Sequence, residues 1–274
     1  MNGAPESDKL FAGSIPDIYD EYLVPLIFEP YAVDLLARLA SRTLTSILKL
    51  AAGTGVVTRH LAAGLRAGVS IVATDLNQPM LDRASRVGTA RPVVWRQADA
   101  MALPFDDSTF DAVVCQFGAM FFPDKARAFA EARRVLRPGG VFLFNVWDRI
   151  EENDFALTVT DALAQMFPGN PPRFMARVPH GYCDRATISR DLASAGFAAI
   201  AEIHVVSARS RAASPQIPAI AYCQGTPLRS EIEARGTSRL AEATRVATNA
   251  LTQRFGTGAV DGKIQALVVS VPAI

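Results

Sequence analysis

The sequence predicts an α/β protein whose sheet is largely parallel and covered by helices on both faces. Strand-like and helix-like stretches alternate from residue 45 to residue 147, and the strands are apolar enough to be buried on both sides. TSILKL (45–50) reads as the first strand, and TGVVTRHLAAGLRAG carries a helix that ends near Gly68. SIVATDL (70–76) is the second strand. The helix from Gln78 to Val87 has Pro79 in its first turn, where a missing N–H does no harm. RPVVWRQAD (91–99) and FDAVVCQFG (110–118) are strands three and four. DKARAFAEARRVL (124–136) shows helical spacing and stops at RPGG (137–140), and VFLFNVW (141–147) is a fifth, almost wholly apolar strand.

Beyond Trp147 the rhythm changes. A helix is expected over 151–167, broken by PGNPPRF (168–174), and another over 185–195. FAAIAEIHVVS (197–207) reads as a sixth strand, 208–237 as helical or irregular, 238–254 as a helix and KIQALVVSV (263–271) as the last strand. No low-complexity linker interrupts the 274 residues. The expectation is one domain, with a core of about 41–150, 183–207 and 260–274. Segments of about 1–40, 151–182 and 208–240 would form a partial lid.

Composition narrows the function. Lys plus Arg number 28 against 27 for Asp plus Glu, and neither half carries an excess of one sign, so nothing points to nucleic acid. No apolar run reaches the roughly 18–20 residues of a membrane span, and MNGAPESDKL does not read as a signal peptide. Cys115, Cys183 and Cys223 lack C-x-x-C spacing, which favours a reducing, cytoplasmic setting. No His/Cys/Asp cluster has ligand spacing, so no metal is expected.

In an open α/β sheet, ligands bind beyond the carboxyl ends of the strands, where strand order reverses. Gly53 and Gly55, after strand one, allow a close backbone approach, and the following helix turns its N–H groups toward an anion. Asp75 ends strand two, placed to accept hydrogen bonds from both hydroxyls of a ribose, and Asp99 follows strand three, where it can flank a base. The implied ligand is nucleoside-like. A dinucleotide would use the first two features as well, but G-x-G-x-x-G is not met: Ala51 and Val56 stand where its first and third glycines would be.

LAAGTG, TDLNQPML, QADAMALPFDDSTFDAVVCQFGAMFFPD and EARRVLRPGG together resemble class I S-adenosylmethionine-dependent methyltransferases. The likeness is nearest to the small-molecule branch related to the ubiquinone/menaquinone-biosynthesis C-methyltransferases, and it covers about residues 45–147. The resemblance implies a Rossmann-like seven-stranded sheet whose last strand is antiparallel and inserted between strands five and six. It implies S-adenosylmethionine as cofactor, S-adenosylhomocysteine as product and a small-molecule acceptor. Ala51, Gly53 and Gly55 would line the methionine moiety and Asp75 would hold the ribose. Leu76 and Met80 would flank the adenine, with core packing as the alternative reading for both and for Met101. Asp99 would meet the adenine amino group beside the backbone of Ala100 and Met101. Gln116 would lie near the methionine part, and Tyr19, in an N-terminal helix, would reach the methionine end.

Lys49 departs from that resemblance, which implies Asp or Glu at its position, near the methionine α-amino group. Its stem either snorkels to solvent, the favoured outcome, or carries the ammonium toward the methionine carboxylate. Methyl transfer is an in-line displacement accelerated by holding nucleophile and methyl in line. No general base is named: His60 reads as a helix-surface residue and His204 as structural, His180 lies in a loop that could face the cleft, and Asp17, Tyr19 and Tyr22 carry more weight than these. Cys115 reads as a small hydrophobe. The segments outside the resemblance hold the aromatics that suit an apolar or aromatic acceptor, and Arg173, Arg177, Arg209 and Arg211 could meet an acidic group. Two other readings stay open, a nicotinamide-dependent oxidoreductase and a non-catalytic member acting through a protein partner.

Overall fold

The computed structural model describes residues 11, 13–236 and 238–274. A short helix α1 (Ile15–Ile18) runs on as a π-helix, Tyr19–Phe28, and then as α2 (Glu29–Ala40). Next come β1 (Ser46–Leu50), α3 (Val56–Gly64), β2 (Ser70–Asp75), α4 (Gln78–Val87), β3 (Val94–Gln97) and β4 (Phe110–Gln116). They are followed by α5 (Lys125–Val135), β5 (Leu136–Trp147), α6 (Asp154–Met166), α7 (Phe174–Arg177) and α8 (Arg185–Ser194). The chain closes with β6 (Glu202–Ala212), α9 (Gln216–Gln224), α10 (Leu228–Glu233), α11 (Arg239–Phe255) and β7 (Val260–Pro272).

The sheet has the order β3–β2–β1–β4–β5–β7–β6, with β7 antiparallel to both neighbours. This is the seven-stranded arrangement expected, including the inserted last strand. β1 pairs in parallel with β2 on one side and β4 on the other, so strand order reverses at β1 and a crevice opens beyond its carboxyl end. Every residue of β1 is buried, which is why SILKL carries no polar alternation except Lys49. The edge strand β3 is only four residues long and mostly exposed, a short edge that discourages pairing with another chain.

The described residues divide into two compact units. The larger comprises Glu29–Val146, Tyr182–Val206 and Leu267–Ile274. Its core includes Phe129, Phe142 and Phe144, whose ring centroids lie 4.7–5.3 Å apart. The second comprises the described residues of Met1–Phe28, Trp147–Gly181 and Ser207–Ala266. There α6, α9 and α11 pack together, with Phe155 edge-on to Phe255 at 5.0 Å. Asn153 ties its start: the amide donates to the carbonyls of Asp148, Arg149 and Gln265 and accepts from the Gln265 N–H.

Two expectations need correction. The sixth strand begins at Glu202, not at Phe197, and runs to Ala212. Ile200 is 94 % exposed; the paired segment is the alternating stretch after it, as suits a sheet edge. RPGG (137–140) does not separate α5 from β5 but lies inside β5, where the pairing slips: Phe110 faces Leu136 while Ala112 faces Val141. Arg137 uses this bulge to reach Asp111, whose other oxygen accepts from the Thr45 and Ser46 N–H groups.

His180 belongs to the helical unit's core. Its ring lies 6.1 Å from that of Trp147, and Nδ1 is 2.8 Å from the Asp148 carbonyl, which can only accept, so Nδ1 carries the proton. Burial holds its pKa down at about 4. The unfolded chain takes up a second ring proton, on Nε2, near pH 6.5 and the folded chain near 4. Stability is therefore full above pH 6.5 and falls by about 3 kcal/mol as pH drops to 4. Urea unfolding of the protein and of His180→Gln at pH 7 and pH 4.5 should show a smaller loss in the variant. Equal losses would contradict the burial.

Candidate functional site

The site is built at the carboxyl ends of four neighbouring strands of the larger unit. After β1 the backbone turns through Ala51, Gly53 and Gly55, at φ +47°, +56° and +92°. Such angles suit glycine, and Ala51 adopts one against the preference of a Cβ-bearing residue. Gly55 also has no room for a side chain, since a Cβ there would stand 3.1 Å from both Ala84 and Trp95. The turn delivers the chain into α3 with the first N–H groups of that helix facing the crevice end.

Asp75 ends β2 almost buried, at 8 % exposure. One oxygen accepts the Gly53 N–H at 2.8 Å and the other the Asn77 N–H at 2.8 Å, so the carboxylate ties the turn after β1 to the turn after β2. Burial pushes its pKa up, against the pull of those N–H groups and of Lys49. Leu76, next in sequence, is 47 % exposed, whereas Met80 is 3 % exposed and packs inside. The Ala98 N–H donates to the Asp75 carbonyl, bringing the turn after β3 alongside. In that turn Asp99 accepts from the Met101 N–H at 2.9 Å, with Ala100 between them. Gln116 closes β4, buried, opposite Asn145 of β5.

Ala51, Gly53, Gly55, Asp75, Leu76, Asp99, Ala100, Met101 and Gln116 thus share one end of one unit. Tyr19 belongs to the second unit, where it stacks on Phe28 at 5.1 Å and meets Phe11 edge-on at 6.0 Å.

Residues 48–144 match the profile of a methyltransferase-domain family. Over 97 residues the chain is 44 % identical to a demethylmenaquinone methyltransferase of Lactiplantibacillus plantarum, covering 34 % of this chain and 41 % of the relative. It is 30 % identical to a ubiquinone/menaquinone biosynthesis C-methyltransferase of Saccharophagus degradans, covering 56 % and 66 %. The chain therefore spans from two fifths to just under two thirds of the length of these relatives. In fold it is similar to a phosphoethanolamine N-methyltransferase of Haemonchus contortus solved with S-adenosylhomocysteine. The TM-score is 0.59 at 15 % identity, over 96 % of this chain and 59 % of that one. Residues 48–144 are thus similar to a methyltransferase domain, and the fold is one found in methyltransferases.

Lys49 is the departure from the resemblance, and the snorkelling expected from the sequence does not occur. The side chain is 1 % exposed. Its ammonium donates to the carbonyls of Leu50, at 2.5 Å, and Ala51, at 2.9 Å, beneath the turn after β1. Burial lowers its pKa to about 8, opposed by Cys115 and Asp75 nearby. A central strand leaves the stem no route to water, so the charge is satisfied by backbone oxygen.

The remaining candidates are occupied elsewhere. His60 pairs with Glu29 at 2.6 Å on a half-exposed helix surface, and His204 is exposed beside Glu202. Arg177 pairs with Glu231, and Arg209 and Arg211 share Asp261. Arg173 donates its backbone N–H to Glu231. Cys115 is fully buried, and burial pushes its thiol up, as for a small hydrophobe. Among the described residues no group of His, Cys, Asp and Glu could hold a metal ion, and no helix is long and apolar enough to cross a membrane.

Two contributors escaped the sequence reading. Asn145 is fully buried and accepts the Phe117 N–H at 2.9 Å, holding Phe117 at φ +49° where the chain leaves β4. Gly118 then passes the first turn so closely that a Cβ would lie 2.5 Å from the Ala51 Cβ and 2.8 Å from the Cys115 Sγ. The glycine in FGAM was the visible signal for it. Gly118→Ala should lower stability by about 1–3 kcal/mol, as overpacking does. Adding Ala51→Gly should recover most of that loss, because it removes the nearest collision and relaxes a positive φ. Thermal or urea unfolding of both variants checks this; an unperturbed single variant, or a double variant no better than the single, would contradict it.

Proposed function

We propose that this chain transfers the methyl group of S-adenosylmethionine to a small aromatic acceptor. The observation that carries the reading is the Asp75 carboxylate, buried at the end of β2 and hydrogen-bonded to Gly53 of the first turn. One oxygen accepts the Gly53 N–H and the other the Asn77 N–H, with the Asn77 side chain as a further donor, and a carboxylate at this strand end is the acceptor that a ribose hydroxyl needs. The half-exposed Leu76 offers an apolar face to the adenine, with Asp99, Ala100 and Met101 at its edge. Ala51, Gly53 and Gly55 would hold the methionine portion against the backbone N–H groups that open α3. Gln116 would stand at the reacting end.

The cofactor supplies an electrophilic sulfonium methyl when bound. The protein's part is to hold nucleophile and methyl in line, which by itself lowers a displacement barrier substantially. The relatives named as acting on demethylmenaquinone, or in ubiquinone and menaquinone biosynthesis, support an electron-rich, quinol-like ring carbon as nucleophile. Attack by a ring carbon forms the new bond before the ring proton leaves, which lessens the need for a strong base.

Calorimetry with S-adenosylmethionine, S-adenosylhomocysteine and NADH should show binding of the first two and none of the third. Asp75→Ala should weaken S-adenosylhomocysteine by about 1.5–3 kcal/mol, the loss expected for hydrogen bonds to a charged group. NADH binding, or an unchanged dissociation constant in a folded Asp75→Ala protein, would overturn the assignment.

A further inference from the structure

Lys49 occupies the middle of the sheet, level with Ala73 of β2 and Val114 of β4. Its side chain runs toward the carboxyl end of β1 and stops under the turn. There, two of the ammonium's three N–H groups are taken by the Leu50 and Ala51 carbonyls. The ammonium thus underlies the backbone of Ala51. The nearest fixed anion, Asp75, is already neutralised in part by the N–H groups of Gly53 and Asn77. The charge that lies directly beneath the Ala51 backbone is therefore the Lys49 ammonium.

We infer that Lys49 makes this turn select its ligand's amino-acid tail by charge, favouring the carboxylate and disfavouring the ammonium. The inference rests on the reading above, which lays the methionine portion along this turn. It assigns Lys49 as a specificity-determining residue: the tail is anchored through its carboxylate, and the α-amino group adds little or nothing. Buried charges act over several ångströms with weak screening, so contact between Nζ and the tail is not required. The titratable groups facing Lys49 are Asp75 from β2 and Cys115 from β4, both raised by burial; the carbonyls of Leu50 and Ala51 face it from its own strand. Lys49 changes charge between pH 7 and 9, because burial brings its pKa to about 8.

Three adenosyl thioethers test this without involving the sulfonium: S-adenosylhomocysteine, its deaminated analogue with only the carboxylate, and its decarboxylated analogue with only the ammonium. Calorimetry at pH 7 should place the deaminated ligand within about threefold of S-adenosylhomocysteine and the decarboxylated one at least about tenfold weaker, about 1.4 kcal/mol. Lys49→Gln should bring the two analogues to within about threefold of each other. In case that variant fails to fold, the wild-type chain carries a second arm. The deaminated ligand does not titrate between pH 7 and 9, yet its affinity should fall several-fold over that range as Lys49 loses its proton. In Lys49→Arg, which stays charged, it should not. A deaminated ligand tenfold weaker than S-adenosylhomocysteine would make the ammonium the anchor and overturn the inference, as would a pH-independent affinity in the wild type. Failure of all three thioethers to bind a folded protein would instead remove the cofactor reading itself, and this inference with it.

Discussion

A positive charge without access to water sits at the end of the central strand, and the turn above it is arranged around that charge. Lys49 does not reach water: the chain packed over the face of β1 leaves it 1 % exposed. Its ammonium therefore draws in the nearest backbone oxygens, those of Leu50 and Ala51. Holding it charged costs about 3 kcal/mol relative to water, from the displacement of its pKa to about 8. The Ala51 carbonyl is turned toward the ammonium while Ala51 stands at φ +47°, and the same turn is pulled from the next strand by Asp75 on the Gly53 N–H. A buried cation and a buried carboxylate thus brace one turn from opposite sides.

The neighbouring loop is shaped by the same turn. Because Ala51 carries a Cβ, residue 118 has none, and Asn145 fixes Phe117 in the left-handed region so that the chain can pass. The ends of β1, β4 and β5 are consequently one packed assembly. A change in any of these residues is expected to be felt by the other two strand ends, since tightly packed groups couple. This is the physical content of a preformed crevice: the backbone groups facing it are committed before any ligand arrives.

Much of this was legible in the sequence, for reasons that particular residues make plain. The strand order from β1 to β5 follows from continuous apolar runs such as SILKL and VFLFNVW, and the glycine turn and Asp75 follow from their positions at strand ends. The start of β6 was not legible, because at an exposed edge hydrophobicity does not mark pairing; Ile200 is apolar and in water. The π-helix Tyr19–Phe28, with Pro25 inside it, carries no periodic signature to separate it from an ordinary helix. Lys49 was read as a stem that escapes to solvent because sequence shows the neighbours along the chain, not the strands on either side. Leu76 and Met80 looked alike as apolar residues four apart, and only packing distinguishes the half-exposed one from the buried one.

The central claim, that Lys49 is held as a buried cation under the first turn, is tested most directly by nuclear magnetic resonance of the Lys49 side-chain amine. Its Nζ chemical shift followed through a pH titration should give a midpoint near 8, with the resonance assigned by its absence from Lys49→Arg. A midpoint near the ordinary value of about 10.4 would place the ammonium in water and contradict the account.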